Sequence, residues 1–268
     1  MKNGKKYISP GAWFSMIYPA DWNEFEDGEG SFLFYNPNEW NGNFRISAYK
    51  GKAGYGRQVF NQELAENSSS KVVRIGEYQC AYNQETFQDE GIDYTTHHWI
   101  IDADELAFEC SFTKPKGGDA LLAETVISTL EVRHDGIKYP AEIIPVRLLE
   151  IYQINEAYEW VSHSVKEQLK KDFQGVEEDV PHMQELIRKL ALSPKKKEAW
   201  VALGIVLCVI LSNEADGMEW QTLMDGNREA PVLIHTASGH CIDPMKLVWS
   251  KVKAGEQVDL VEVYKNLL

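Results

Sequence analysis

Three groups of residues in this chain combine types and spacing that could do chemistry. His97 and His98 stand beside Asp93, Asp102 and Asp104. Imidazole with carboxylate serves both general acid–base hydrolysis and metal binding. Their run reads as a strand, so the two histidines point to opposite faces. One metal cannot take both from that geometry, and satisfied structural histidines are the simpler reading. His235, His240 and Cys241, in HTASGHC, offer imidazole and thiolate donors. A structural zinc takes four ligands, and no CxxC or HxxxH completes the set. A turn at Gly239 explains that composition. The glycines of GKAGYG at 51–56 are in the wrong order for a dinucleotide fingerprint, and no GxxxxGK[ST] or GxSxG occurs. Glu177, Glu178 and Asp179 read as a solvated linker. The expectation is no catalytic residue, no metal and no cofactor.

One residue stands out for contact instead of reaction. Trp40 sits in the polar connector NPNEWNG, where a large aromatic has little core to fill. Such residues are enriched at contact surfaces; the competing reading folds Trp40 back over a sheet edge. Charge points the same way. Asp plus Glu number 41 against 27 Lys plus Arg, a net of −14, and both halves are acidic. Nucleic acid and anionic membrane are therefore discounted, and a basic protein partner fits.

The elements that must position these groups fall into two patterns. Up to Leu130, apolar alternation marks strands at 12–18, 31–35, 43–49, 71–76, 78–87, 92–101 and 105–113. Helices are predicted at 55–66 and after Asp119, a candidate N-cap. Trp22 reads as an aromatic plug. Gly136 and Pro140 mark a linker, which predicts domains at 1–135 and 136–268. The second half is organised around AWVALGIVLCVIL, Ala199 to Leu211, apolar or glycine throughout. Ser193-Pro194 looks like its start, which predicts a helix over 194–212. Its apolar core, about 20 Å long, is short of a ~30 Å bilayer core, so the protein itself must wrap it. Gly204 implies close approach of a neighbour. Helices are also expected from Pro145 to about Lys171, after Pro181, and over 260–268. Strands are expected at Trp220–Met224 and Pro231–Thr236, with a third at Met245–Val252. The fold class is α+β: an N-terminal α/β/α sandwich with a mostly antiparallel sheet, then a helical segment with a small antiparallel sheet.

The opening WFSMIYPADW, an aromatic strand followed by Pro19 and Trp22, resembles the start of the PsbP-like superfamily, as does the order of elements to Leu130. The C-terminal half resembles an uncharacterised bacterial domain found behind such modules. The resemblance implies a binding or accessory role without an agreed enzymatic activity. MKNGKKYISPGAW has no apolar run after its lysines, so no secretory signal is expected. Cys80, Cys110, Cys208 and Cys241 form no pair by spacing and suit a reducing cytoplasm. The functional expectation is a non-enzymatic binding protein, of immunity or adaptor type. The alternatives are a hydrolase using His97 or His98, and a carrier of a small apolar ligand.

Overall fold

The computed structural model describes residues 4–26, 30–226 and 228–267. The chain divides into two compact units, Met1–Ile137 and Lys138–Leu268. The fold is mixed α+β with antiparallel sheets throughout.

The first unit begins with β1 (Gly4–Ile8) and β2 (Phe14–Pro19), followed by β3 (Asn23–Phe25), β4 (Ser31–Tyr35) and β5 (Asn43–Lys50). Next come α1 (Tyr55–Glu66), β6 (Lys71–Ile75), β7 (Tyr78–Asp89), β8 (Ile92–Ala103) and β9 (Leu106–Pro115). The unit closes with α2 (Leu121–Ile127) and β10 (Glu131–Val132). Seven strands form one sheet in the order β3-β4-β5-β9-β8-β7-β6, and β1, β2 and β10 form a small second sheet. Alternation decides what lies between them. Phe44, Ile46, Trp99, Ile101, Phe108, Cys110 and Phe112 project from one face of the large sheet. They are buried with Tyr7, Phe14, Met16 and the α2 residues Ala123, Val126 and Ile127. Trp22 plugs this core, stacked on Phe112 at 6.2 Å and fully buried. Helix α2 begins one residue later than Asp119 as its cap would require. Ala120 holds the cap position, and Asp119 Oδ1 accepts the Leu121 N–H from one place further out.

Helix α1 lies on the opposite face of the large sheet, packed on β8 and β9. GKAGYG is explained here. A Cβ on Gly56 would stand 2.3 Å from the Leu106 carbonyl oxygen, so this glycine lets the helix sit close. Asp104 accepts the Gly54 N–H at 2.9 Å, and Asp102 pairs with Arg57 at 2.7 Å. Both aspartates fasten the start of α1. Strands β1, β3 and β10 are additions to the sequence reading; each is short or lysine-rich, without clear alternation.

The second unit holds β11 (Glu142–Pro145), α3 (Leu148–Leu169), α4 (Val180–Leu190), α5 (Lys197–Glu214), β12 (Met218–Asp225), β13 (Arg228–His235) and β14 (His240–Ile242). It ends with α6 (Pro244–Leu247), α7 (Trp249–Lys253) and α8 (Leu260–Lys265). Helix α5 is wrapped as its composition demands: Leu203, Val206, Leu207, Cys208, Ile210 and Leu211 are fully buried. It starts three residues later than the expected 194–212, because Ser193 instead closes a turn, accepting the Lys195 N–H on its hydroxyl. The close neighbour of Gly204 is α6: an added Cβ would meet the Pro244 carbonyl oxygen at 2.3 Å.

The strand expected at Met245–Val252 is absent. Pro244 starts α6 there, α7 follows, and the third partner strand is β14. Helix α3 likewise starts later than expected, since residues 142–145 pair with β12. Pro231 lies within β13, opposite Thr222, but β14 pairs only with residues 233–235. The proline therefore occupies a stretch unpaired on its far side, where a missing N–H is tolerated. Asp179 is not solvated. It is buried, and Oδ2 accepts the N–H groups of Gln174, Gly175 and Val176 at 2.8, 2.8 and 3.3 Å.

Candidate functional site

Helix α1 covers only part of the outer face of the seven-stranded sheet. Cross-strand register orders what remains open. One row runs Asn83, His98, Ser111 and Arg45 across β7, β8, β9 and β5. The next runs Glu85, Thr96, Thr113 and Asn43, and the last holds Phe87 opposite Tyr94. These residues share a face because partners in register project together.

The first row meets α1 in a cleft of about 420 Å³. Glu63 of α1 is its hub. Its Oε1 accepts hydrogen bonds from Asn83 Nδ2 at 2.8 Å, Ser70 Oγ at 2.7 Å and Asn67 Nδ2 at 3.2 Å. Glu85 and Glu109 bring two further carboxylates to the lining. Tyr49 donates its hydroxyl to Glu109 Oε2 at 3.3 Å, and burial followed by that carboxylate raises the Tyr49 pKa. Three carboxylates against Arg45 make the cleft electronegative, suited to a cation or to several hydrogen-bond donors.

The outermost row carries aromatics. Phe87 stacks on Tyr94 with centroids 5.5 Å apart, and Trp40 meets Tyr94 edge-on at 6.0 Å. Trp40 and Phe87 keep 42% and 43% of their surface exposed, and neighbouring Ile92 51%. Trp40 thus folds back onto the sheet and still presents its ring to solvent. Phe87 and Tyr94 were missed in the sequence. Alternation on β7 and β8 carried the signal, because both belong to the face opposite Trp99 and Ile101.

The histidines separate as strand geometry requires. His97 is 6% exposed, stacked on Trp99 and Tyr82, and its Nδ1 shares a 2.8 Å hydrogen bond with the Tyr82 hydroxyl. Burial lowers its pKa, with the Lys114 and His98 charges acting in the same direction. His98 faces the cleft, its Nε2 3.3 Å from Glu85 Oε1. Asp93 pairs with Lys116 at 3.6 Å. In the second unit, His235 and His240 oppose each other, while Cys241 pairs with Ile234 and belongs to the other face. His235 Nδ1 is held by Ser238 Oγ at 2.8 Å. No group of three His, Cys, Asp or Glu residues among those described could hold a metal. Cys80, Cys110 and Cys208 are buried free thiols, and Cys241 is an exposed one. No helix among the described residues is long and apolar enough to cross a membrane.

Comparison with known proteins places two family profiles on the chain. One described as Domain of unknown function (DUF3805) matches residues 2–155, and one described as Domain of unknown function (DUF3806) matches residues 179–264. A crystal structure from Bacteroides thetaiotaomicron VPI-5482 is 63% identical, covers 98% of each chain and superposes with a TM-score of 0.95. Cyanobacterial PsbP (CyanoP) from Synechocystis sp. PCC 6803 is 15% identical over 50% of this chain and 94% of its own, with a TM-score of 0.26. The Ran-binding protein Mog1p of Saccharomyces cerevisiae is 12% identical over 48% and 95%, with a TM-score of 0.35. No curated protein matches. The fold rests on the chain's own strands and helices, not on the two distant likenesses.

Proposed function

We infer that this chain, which belongs to the family described as Domain of unknown function (DUF3805), is a non-enzymatic binding or accessory protein. Its contact surface is the open outer face of the first unit's large sheet. The observation that carries this reading is the Trp40–Tyr94–Phe87 cluster, with Trp40 and Phe87 exposed, one row from the Glu85 edge of a cleft holding three carboxylates. Aromatics supply rigid contact area, and acidic groups beside them select and orient a basic segment of a partner protein.

The test uses immobilised protein and lysate of Bacteroides thetaiotaomicron, the source of the 63% identical relative. A basic protein is expected to be retained at low salt and lost when Trp40→Ala and Phe87→Ala are combined. Equal retention by the variant, or no retention by the parent chain, sinks the reading. The His98–Glu85 pair at 3.3 Å supports a second reading, hydrolysis in the same cleft. Turnover of an ester or phosphoester that vanishes in His98→Ala would favour it.

A further inference from the structure

A second concavity lies wholly within the second unit, between α3, the α4–α5 connection and the first turns of α5. It measures about 860 Å³. Its lining is mainly apolar, formed by Val201, Ala202 and Ile205 of α5, Ala157 and Trp160 of α3, and Met245 of α6. Val201 and Ala202 keep 8% and 9% of their surface on a helix whose Leu203 and Leu207 are sealed. One end of the groove is basic. Arg188, Lys189, Lys195, Lys196 and Lys197 fall within ten residues that hold no acidic side chain, in a chain of net charge −14. All five are exposed, and none forms an ion pair among the described residues. Lys196 and Lys197 line the groove itself. Helix α5 also starts there without a side-chain cap, so its first-turn N–H groups have no side-chain acceptor. Glu156 and Glu198 also line the groove and are the opposing charges.

We propose that this groove binds a single-chain anionic amphiphile. Its head sits at Lys196, Lys197 and the α5 amides, and its alkyl tail runs along Val201, Ala202 and Ile205. Uncapped amides and lysines suit a carboxylate head. From Lys197 to Ile205 the helix axis rises about 12 Å, which suits a medium-length chain. The volume is that of a small-molecule site. A protein partner would call for a contact surface of about 1,000 Å² or more. This site and the outer sheet face of the first unit stand or fall separately.

The test is calorimetric titration of the full chain with sodium decanoate below its aggregation point, with decanol and decyltrimethylammonium as controls. Decanoate is expected to saturate at one per chain and to bind more tightly than either control. Lys196→Glu combined with Lys197→Glu changes two exposed residues, so folding is retained. That variant is expected to weaken decanoate about tenfold and leave decanol unchanged. Ala202→Trp, with its melting temperature checked, fills the floor and should remove binding of both. Absence of saturable decanoate binding, equal affinity for the cationic analogue, or indifference to the charge reversal would overturn the proposal. Saturable binding of an acidic amphipathic peptide without decanoate binding would overturn it too.

Discussion

At the scale of single residues, environment separates side chains that the sequence presents as equals. His97 and His98 are adjacent, yet one is stacked in the core and the other faces a polar cleft. The strand period made that split legible. Which face was buried was not, because the burial depends on β1, β2 and α2 arriving from elsewhere in the chain. The buried imidazole has a consequence for stability. His97 has its pKa lowered, chiefly by burial, with Asp119 opposing the shift. The unfolded chain therefore binds the proton more readily, near the ordinary value of about 6.5. The stabilising contribution is complete above that pH and is lost as the pH falls below it. Urea unfolding between pH 7.5 and 4.5 should show His97→Phe with a shallower loss of stability than the parent chain. Parallel curves would show that another group carries the dependence.

At the scale of elements, α5 was the most legible feature, since thirteen residues without a polar side chain leave a helix few places to go. Its first turn was misread because Ser193-Pro194 carries the composition of a helix start and is used as a turn three residues early. The segment Met245–Val252 was misread for a related reason. Its apolar residues fit a strand, but Pro244 and the Asp243 carbonyl, which accepts the Lys246 and Leu247 N–H groups, set it coiling instead. Gly204 tests how firmly these helices are held. Alanine is ordinarily better than glycine in a helix by about 1 kcal/mol. Here its methyl group would meet the Pro244 backbone oxygen at 2.3 Å. Gly204→Ala is expected to destabilise the chain by about 1–3 kcal/mol in equilibrium unfolding. An increase in stability would mean that α6 yields at no cost.

At the scale of the molecule, fold class and the excess of negative charge follow from composition and alternation, whereas the two concavities do not. Each depends on tertiary placement: where α1 stops along the sheet, and how the α4–α5 connection flanks α3. His98 was the one sequence candidate that lines the first of them, and Trp40 marked the aromatic cluster further along the same sheet face. The charge of −14 predicts a further property of partner binding. Retention of a basic protein should fall steeply between 50 and 500 mM salt, as screening shortens to a few ångströms. Retention independent of salt would leave the aromatic cluster as the sole determinant. Pro231, finally, bears on how the small sheet ends. It is itself buried, and β14 stops short of it. A ring without a donor strands no buried N–H where the ladder gives out. The Arg228–Asp243 ion pair at 2.6 Å then fastens the first residue of β13.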